Sequence, residues 1–236
     1  MSELPCLVGV GVDSDEIETI AARWGFRTVA DVESSDVVLI AKPDRLQLER
    51  LLTKHPPYAL METPSPTKLF GKRLRQAIAR KGLFLSLSTC AAFHMEIASL
   101  ICSCLCQRIP LCQQKCFDVE TALGEALSNA MVHGNLDVAS ALRNNPADFG
   151  LYCDLVNQRL ATPLYANRRI EMLATWSAKG LEIEVRDEGR GFDISNVSTL
   201  PHIEAKCGRG FSLIRELTRS VTLVNHGRGL KMSFEP

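Results

Sequence analysis

The sequence carries no excess of either charge: 27 Lys and Arg balance 27 Asp and Glu over 236 residues. No global field recruits nucleic acid or an anionic membrane, so a protein or small-molecule partner is the expectation. The chain also lacks a run apolar enough to span a bilayer. Its longest, AAFHMEIASLICSCLC at Ala91–Cys106, is too short and contains His94 and Glu96, and reads as a buried helix. Where an export leader would need an uninterrupted apolar stretch, the first twenty residues carry DSDEIET, so a cytoplasmic location is expected. Among nine cysteines there is no CxxC pair. Cys102, Cys104 and Cys106 do not share one helical face, and structural zinc needs four convergent ligands. The cysteines are expected to be reduced, serving as small buried hydrophobes rather than as a disulfide framework.

What is present is an ordinary globular composition, 46% hydrophobic and 23% charged, long enough for one large or two modest domains. From the start, CLVGVGV, DVVLIAK and YALMET read as buried strands, alternating with helices in DEIETIAARWG, DRLQLERLLTKH and TKLFGKRLRQAIARKG. That alternation predicts a small α/β layer over residues 1–82 with a mostly parallel sheet. Asp13 and Asp15 follow the first strand and read as loop or N-cap residues. Gly82 marks the expected boundary, after which LFLSLS restarts with strand alternation. The second part, 83–236, runs strand, two long helices, irregular segment, two strands, glycine-rich loop, helix and hairpin. That order predicts an α/β sandwich in which helices cover one face of a mixed sheet.

Three stretches of the second part carry chemistry. DVETALGEALSNAMVHGN, Asp118–Asn135, reads as a helix capped by Asp118, with Val119, Leu123, Ala126, Leu127 and Ala130 on one stripe. At about 100° per residue, Glu125, Asn129 and His133 line the edge of that buried face. An amide oxygen there can ligate Mg2+, and a carboxylate one turn away can take a proton from a hydroxyl; a solvated polar edge gives the same pattern. LEIEVRDEGRGFD alternates as a half-buried strand and breaks at Asp187, Gly189 and Gly191. Its glycines allow close backbone approach and its aspartate can accept from an amino group, although a tight turn uses the same residues. CGRGFSLIREL sets Gly208 and Gly210 before an apolar helix, a phosphate cradle or equally a flexible loop.

Taken in this order and spacing, the three stretches resemble the GHKL superfamily of ATP-binding domains, which includes DNA gyrase, the heat-shock chaperone clamp, histidine kinases and the mismatch-repair clamp. EALSNAMVHGN resembles its N box, DEGRGFD its first glycine box and GRGFSLIREL its second; the N box is nearest to that of the anti-sigma-factor serine kinases. The two GRGF stretches are thereby read as two walls of one pocket, and the third GRG, Gly227–Gly229, as a hairpin turn. The resemblance implies ATP and Mg2+ as cofactors. Glu125 would be the general base and Asn129 the Mg2+ ligand. Asp187 would bind the adenine amino group, and Gly189 and Gly191 would let base and sugar approach. Gly208 and Gly210 would close over the phosphates, with Arg209 and Arg190 nearby and residues 194–207 as a lid. His133 and Asn135 are equally explained by helix termination.

The chain departs from the family pattern in three places. Leu230 or Lys231 stands where relatives place a threonine that helps to set adenine, and residues 136–169 are longer than in compact relatives, suggesting a helical insertion. In the first part, DVVLIAK resembles the strand that presents the phospho-accepting aspartate of response-regulator receiver domains, but Lys42 stands in that aspartate's place. A docking or regulatory domain is therefore expected there. The leading functional expectation is an ATP/Mg2+-dependent serine/threonine kinase of a partner-switching circuit, acting on a protein partner of the sigma-regulator class, with no direct nucleic acid or membrane contact and with homodimerisation open. The alternatives are a phosphorelay component, for which His94 would have to accept phosphate, and a non-catalytic nucleotide-binding module.

Overall fold

The computed structural model describes residues 4–54, 56–64, 70–139, 142, 146–191 and 210–235. Its first half is a parallel ladder of β1 (Cys6–Val10), β2 (Arg27–Thr28), β3 (Val37–Ala41), β4 (Ala59–Thr63) and β5 (Leu83–Ser88), alternating with α1 (Ser14–Trp24), α2 (Arg45–Thr53) and α3 (Lys72–Ala79). The strand order β2-β1-β3-β4-β5 is a doubly wound one. β3 is apolar throughout because both of its faces are covered. Val37 and Leu39 pack with Ala21 of α1 and Leu74 and Ala77 of α3; Val38 and Ile40 pack with Leu48, Leu51 and Leu52 of α2. Asp13 caps α1, its carboxylate accepting from the Asp15 N–H at 2.9 Å. Asp44 closes a capping box with Gln47 at the start of α2.

β5 is the strand on which the fold turns. It pairs in parallel with β4 and antiparallel with β6 (Arg169–Ser177), so the boundary expected at Gly82 falls at a join inside one nine-stranded sheet. Beyond β6 the ladder continues antiparallel through β7 (Gly180–Arg186), β9 (Gly229–Phe234) and β8 (Ser220–Val224). α4 (Thr89–Met95), α5 (Ile97–Arg108) and α6 (Gln113–Asn129) cover one face of this half. Leu181, Ile183 and Val185 of β7 point to that face and join Ile101, Leu105, Leu123 and Leu127 in the core. By strand alternation Glu182, Glu184 and Arg186 take the other face. The same core includes Val38, Ile40, Leu48 and Leu52 from the first half, so its apolar packing crosses the join without a seam. The mixed sheet and one-sided helical cover are the expected sandwich of the second half.

Three local expectations need correction. Ala91–Cys106 is not one helix, because Glu96 takes left-handed φ 50 and bends α4 against α5 by 76°. α6 starts at Gln113, so Asp118 is no cap; it sits within the helix and accepts from Gln114 Nε2 at 2.9 Å. Nothing in QQKCF breaks a helix, and Pro110 just before it fixes where the helix can begin. Cys106 and Cys116 are disulfide-bonded and tie α5 to α6, whereas Cys6, Cys90, Cys102, Cys104, Cys112 and Cys153 are free thiols. Burial pushes the Cys102 thiol up to about 11, as suits a cysteine used for packing. Among the described residues no group of His, Cys, Asp and Glu is placed to hold a metal, and no single helix is long and apolar enough to cross a membrane.

Candidate functional site

α6 does not stop at Asn129. It widens into a π-helical turn, Ala130–Asn135, in which the Leu136 N–H reaches the Met131 carbonyl at 2.8 Å. Such a turn lets a helix carry extra residues into a site. Here His133, Gly134 and Asn135 face the end of β7. The Gly134 Cα lies so close to Asp187 that a Cβ would stand 2.5 Å from the Asp187 Cγ, and a Cβ on Gly189 would lie 2.6 Å from the Gly134 carbonyl carbon. Helix and strand end therefore meet through two residues without side chains, and the carboxyl of Asp187 fills the place between them.

Above this junction opens a cavity of about 470 Å³, between α6 with its π-helical turn, the end of β7, the helix over 210–217 and the β8–β9 hairpin. Most of its wall is apolar: Ala126, Ala130, Val138, Phe211, Leu223 and Leu230. Asp187 is the carboxylate at its buried end. Burial pushes its pKa up to about 6, opposed by the Gly189 N–H, which donates to Oδ1 at 2.8 Å, and by the charges of Arg228 and Arg168. A partly desolvated carboxylate at the end of an apolar slot suits the donor edge of a flat ring.

The polar groups are laid out along one helix edge. Asn129 lines the cavity five residues before Gly134, about 7 Å back along the axis, and Glu125 lies one further turn back. Glu125 does not line the cavity; its carboxylate lies beneath Gly210, whose hypothetical Cβ would stand 3.3 Å from the Glu125 Cδ and 3.6 Å from Asn129 Nδ2. Gly210 thus rests on the Glu125–Asn129 pair at the start of the helix over 210–217. Gly191 lines the cavity with φ 75, and a Cβ there would meet Arg228 Cγ at 2.7 Å. Gly208 and Arg209, with the lid expected over 194–207, lie outside the described residues.

His133 and Asn135 divide in role. The His133 ring lines the cavity, its Nδ1–H held by the Val138 carbonyl at 2.6 Å. Asn135 is fully buried and outside the cavity; its Nδ2 donates to Thr89 Oγ1 at 2.7 Å and to the Arg169 carbonyl at 3.0 Å, and its Oδ1 accepts from the Glu188 N–H at 2.7 Å. It holds the Asp187–Gly189 turn to the helix. Arg190 stands at the rim, 85% exposed, its guanidinium 3.3 Å from Asp137 Oδ2. Asp137 and Val138 were missed in the sequence, and their signal was slight: they follow the N box at a position where Asp137 takes φ 55. The long segment after them forms the helices Phe149–Leu160 and Pro163–Ala166, with Val156 packed on Val132, Leu136 and Val138.

A family model described as the histidine kinase-like ATPase domain matches residues 89–234, the stretch that builds this cavity. The chain belongs to this family. No curated protein matches it. As an ATPase domain it binds ATP, and its residues fit that nucleotide. The apolar slot ending in Asp187 fits a base with an exocyclic amino group, and the missing side chains of Gly134 and Gly189 let helix and strand end close on the Asp187 carboxyl. Asn129, a polar side chain of α6 that lines the cavity, would hold a Mg2+ ion there, as Mg2+ takes few protein ligands beside its substrate's.

Proposed function

We propose that the protein is an ATP- and Mg2+-dependent serine/threonine kinase that works in a partner-switching circuit, phosphorylating a protein antagonist of the regulator it also binds. One observation carries this reading. Asp187 at the end of β7 faces the end of α6, and Asn129 and Glu125 follow back along one edge of that helix, in the order base acceptor, metal ligand, proton acceptor. Asp187 accepts from the adenine amino group, and the apolar wall excludes water from the ring. Asn129 would hold Mg2+, which supplies charge neutralisation to the phosphates. Glu125, whose carboxylate lies beneath Gly210 beside Asn129, takes the proton of the attacking hydroxyl. The described chain presents no serine or threonine as an acceptor in the cavity wall, which favours an acceptor on a partner. Balanced charge favours a protein partner in the cytoplasm over nucleic acid or membrane.

The receiver resemblance of the first half is part of the proposal: its doubly wound order suits a docking unit, and Lys42 after β3, at φ 50, leaves it without a phospho-accepting carboxylate there. The test is transfer from γ-labelled ATP to soluble proteins of the source cell, comparing wild type with Glu125→Ala. Acid-stable label on one protein that disappears in the variant is the expected result. Acid-labile label would point to the phosphorelay reading. Binding without transfer in either form would leave a nucleotide-dependent module and refute the kinase.

A further inference from the structure

A second cavity, of about 520 Å³, lies beyond Asp187 beside α3 and the strands of the antiparallel half. Five cations line it, Lys72, Arg73, Arg169, Arg186 and Arg228, against the carboxylates of Glu171, Asp187 and Glu188. Those carboxylates are already engaged. Glu171 pairs with Arg73, Glu188 accepts the Arg169 N–H at 2.7 Å, and Asp187 accepts the Gly189 N–H at 2.8 Å. Of the cations, Arg169 is likewise engaged by Glu62 and Arg186 by Glu184, whereas Arg73, Lys72 and Arg228 are less fully used. Arg73 is held rigidly, 13% exposed, by Glu171 and Glu184 and by the Phe84 ring 5.5 Å below its guanidinium, yet its buried Nε–H has no partner. Lys72 is exposed at the mouth, and the Arg228 Nε–H reaches only the Asn225 carbonyl, at 3.5 Å. A fixed guanidinium with a spare donor, beside cations with weak partners, makes a donor site that an oxyanion can accept from.

We infer that this cleft binds a small phosphate-bearing anion and that its occupancy weakens nucleotide binding on the other side of Asp187. Asp187 lines both cavities, and the charge of Arg228 supports its carboxylate. An anion beside Arg228 draws off that support, which acts against the adenine acceptor and so against ATP. Binding in the cleft stands without the kinase reading; only its coupling rests on Asp187 as the adenine acceptor.

The test is calorimetric titration of the full chain with inorganic pyrophosphate, without Mg2+ and at constant ionic strength, in wild type, in Lys72→Gln/Arg228→Gln and in Asn129→Ala. Loss of two charge-assisted contacts predicts affinity reduced at least about tenfold in the double variant, with Asn129→Ala unchanged. An affinity unmoved by the double variant, or lost in Asn129→Ala instead, overturns the site. ATP titrated with Mg2+ in excess over both ATP and saturating pyrophosphate should bind about fivefold more weakly to wild type than without pyrophosphate, an effect absent from the double variant. ATP affinity indifferent to pyrophosphate while the cleft still binds it overturns the coupling, and failure of ATP to bind at all counts against the nucleotide reading but not the cleft.

Discussion

Asp187 is a carboxyl held largely out of water. Its pKa is raised to about 6, above the ordinary carboxylate value, by burial, so the folded state holds the proton more tightly than the unfolded chain. Its contribution to stability is therefore favourable at low pH and declines as pH rises from about 4 to about 6, staying unfavourable above that. Asp187→Asn removes a cost on the order of 2 kcal/mol at pH 7.5. Thermal melts should show the variant more stable than wild type at that pH, with the gap closing towards pH 4, while it loses ATP affinity. In wild type the ionised acceptor is depleted below about pH 6, and ATP affinity measured by calorimetry should fall there. Gly134 makes the complementary case. Gly134→Ala drives a methyl into the Asp187 carboxyl and should cost about 1 to 3 kcal/mol by denaturant titration, together with the base slot.

At the scale of elements, the edge of α6 was readable because period and chemistry coincide: the apolar stripe fixes which way Glu125 and Asn129 face. The start of that helix was misread, since Asp118 suits a cap but the stretch before it contains no breaker. What pattern could not give is the π-helical turn and the use made of Asn135. Its three partners, Thr89, Arg169 and Glu188, lie 34 to 53 residues away, and no local signal announces them. Asn135→Ala removes the acceptor of the Glu188 N–H and the donor to the Arg169 carbonyl and to Thr89 Oγ1 at once, although the Thr89 hydroxyl keeps its bond to the Arg168 carbonyl. It should lower stability by about 2 to 4 kcal/mol in urea unfolding and loosen the Asp187 turn, weakening ATP binding although Asn135 touches no part of the cavity. The Cys106–Cys116 pairing was likewise out of reach, because spacing alone does not say that α5 and α6 pack side by side.

For the whole molecule, the sequence announced two halves; the first has the alternating element order read from it, and the second puts three helices, α4, α5 and α6, where two were read. The join was hidden because β5 reads as an ordinary strand, whichever neighbours it has. Its parallel pairing with β4, its antiparallel pairing with β6 and the core that runs past it from Leu48 to Leu123 predict cooperative unfolding across both halves. The chain has two tryptophans, Trp24 in the first half and Trp176 in the second, so Trp24→Phe and Trp176→Phe give one reporter each. Their urea midpoints, each compared with circular dichroism of the same variant, should coincide; a separate transition for either half would refute cooperativity. The central claim is the cavity itself, and it is tested most directly by calorimetry of ATP with Mg2+ on wild type and Asn129→Ala side by side. The account predicts saturable one-site binding to the wild type that depends on Mg2+ and is lost or weakened at least about tenfold in the variant. No binding by the wild type, or binding that Asn129→Ala leaves untouched, would contradict it.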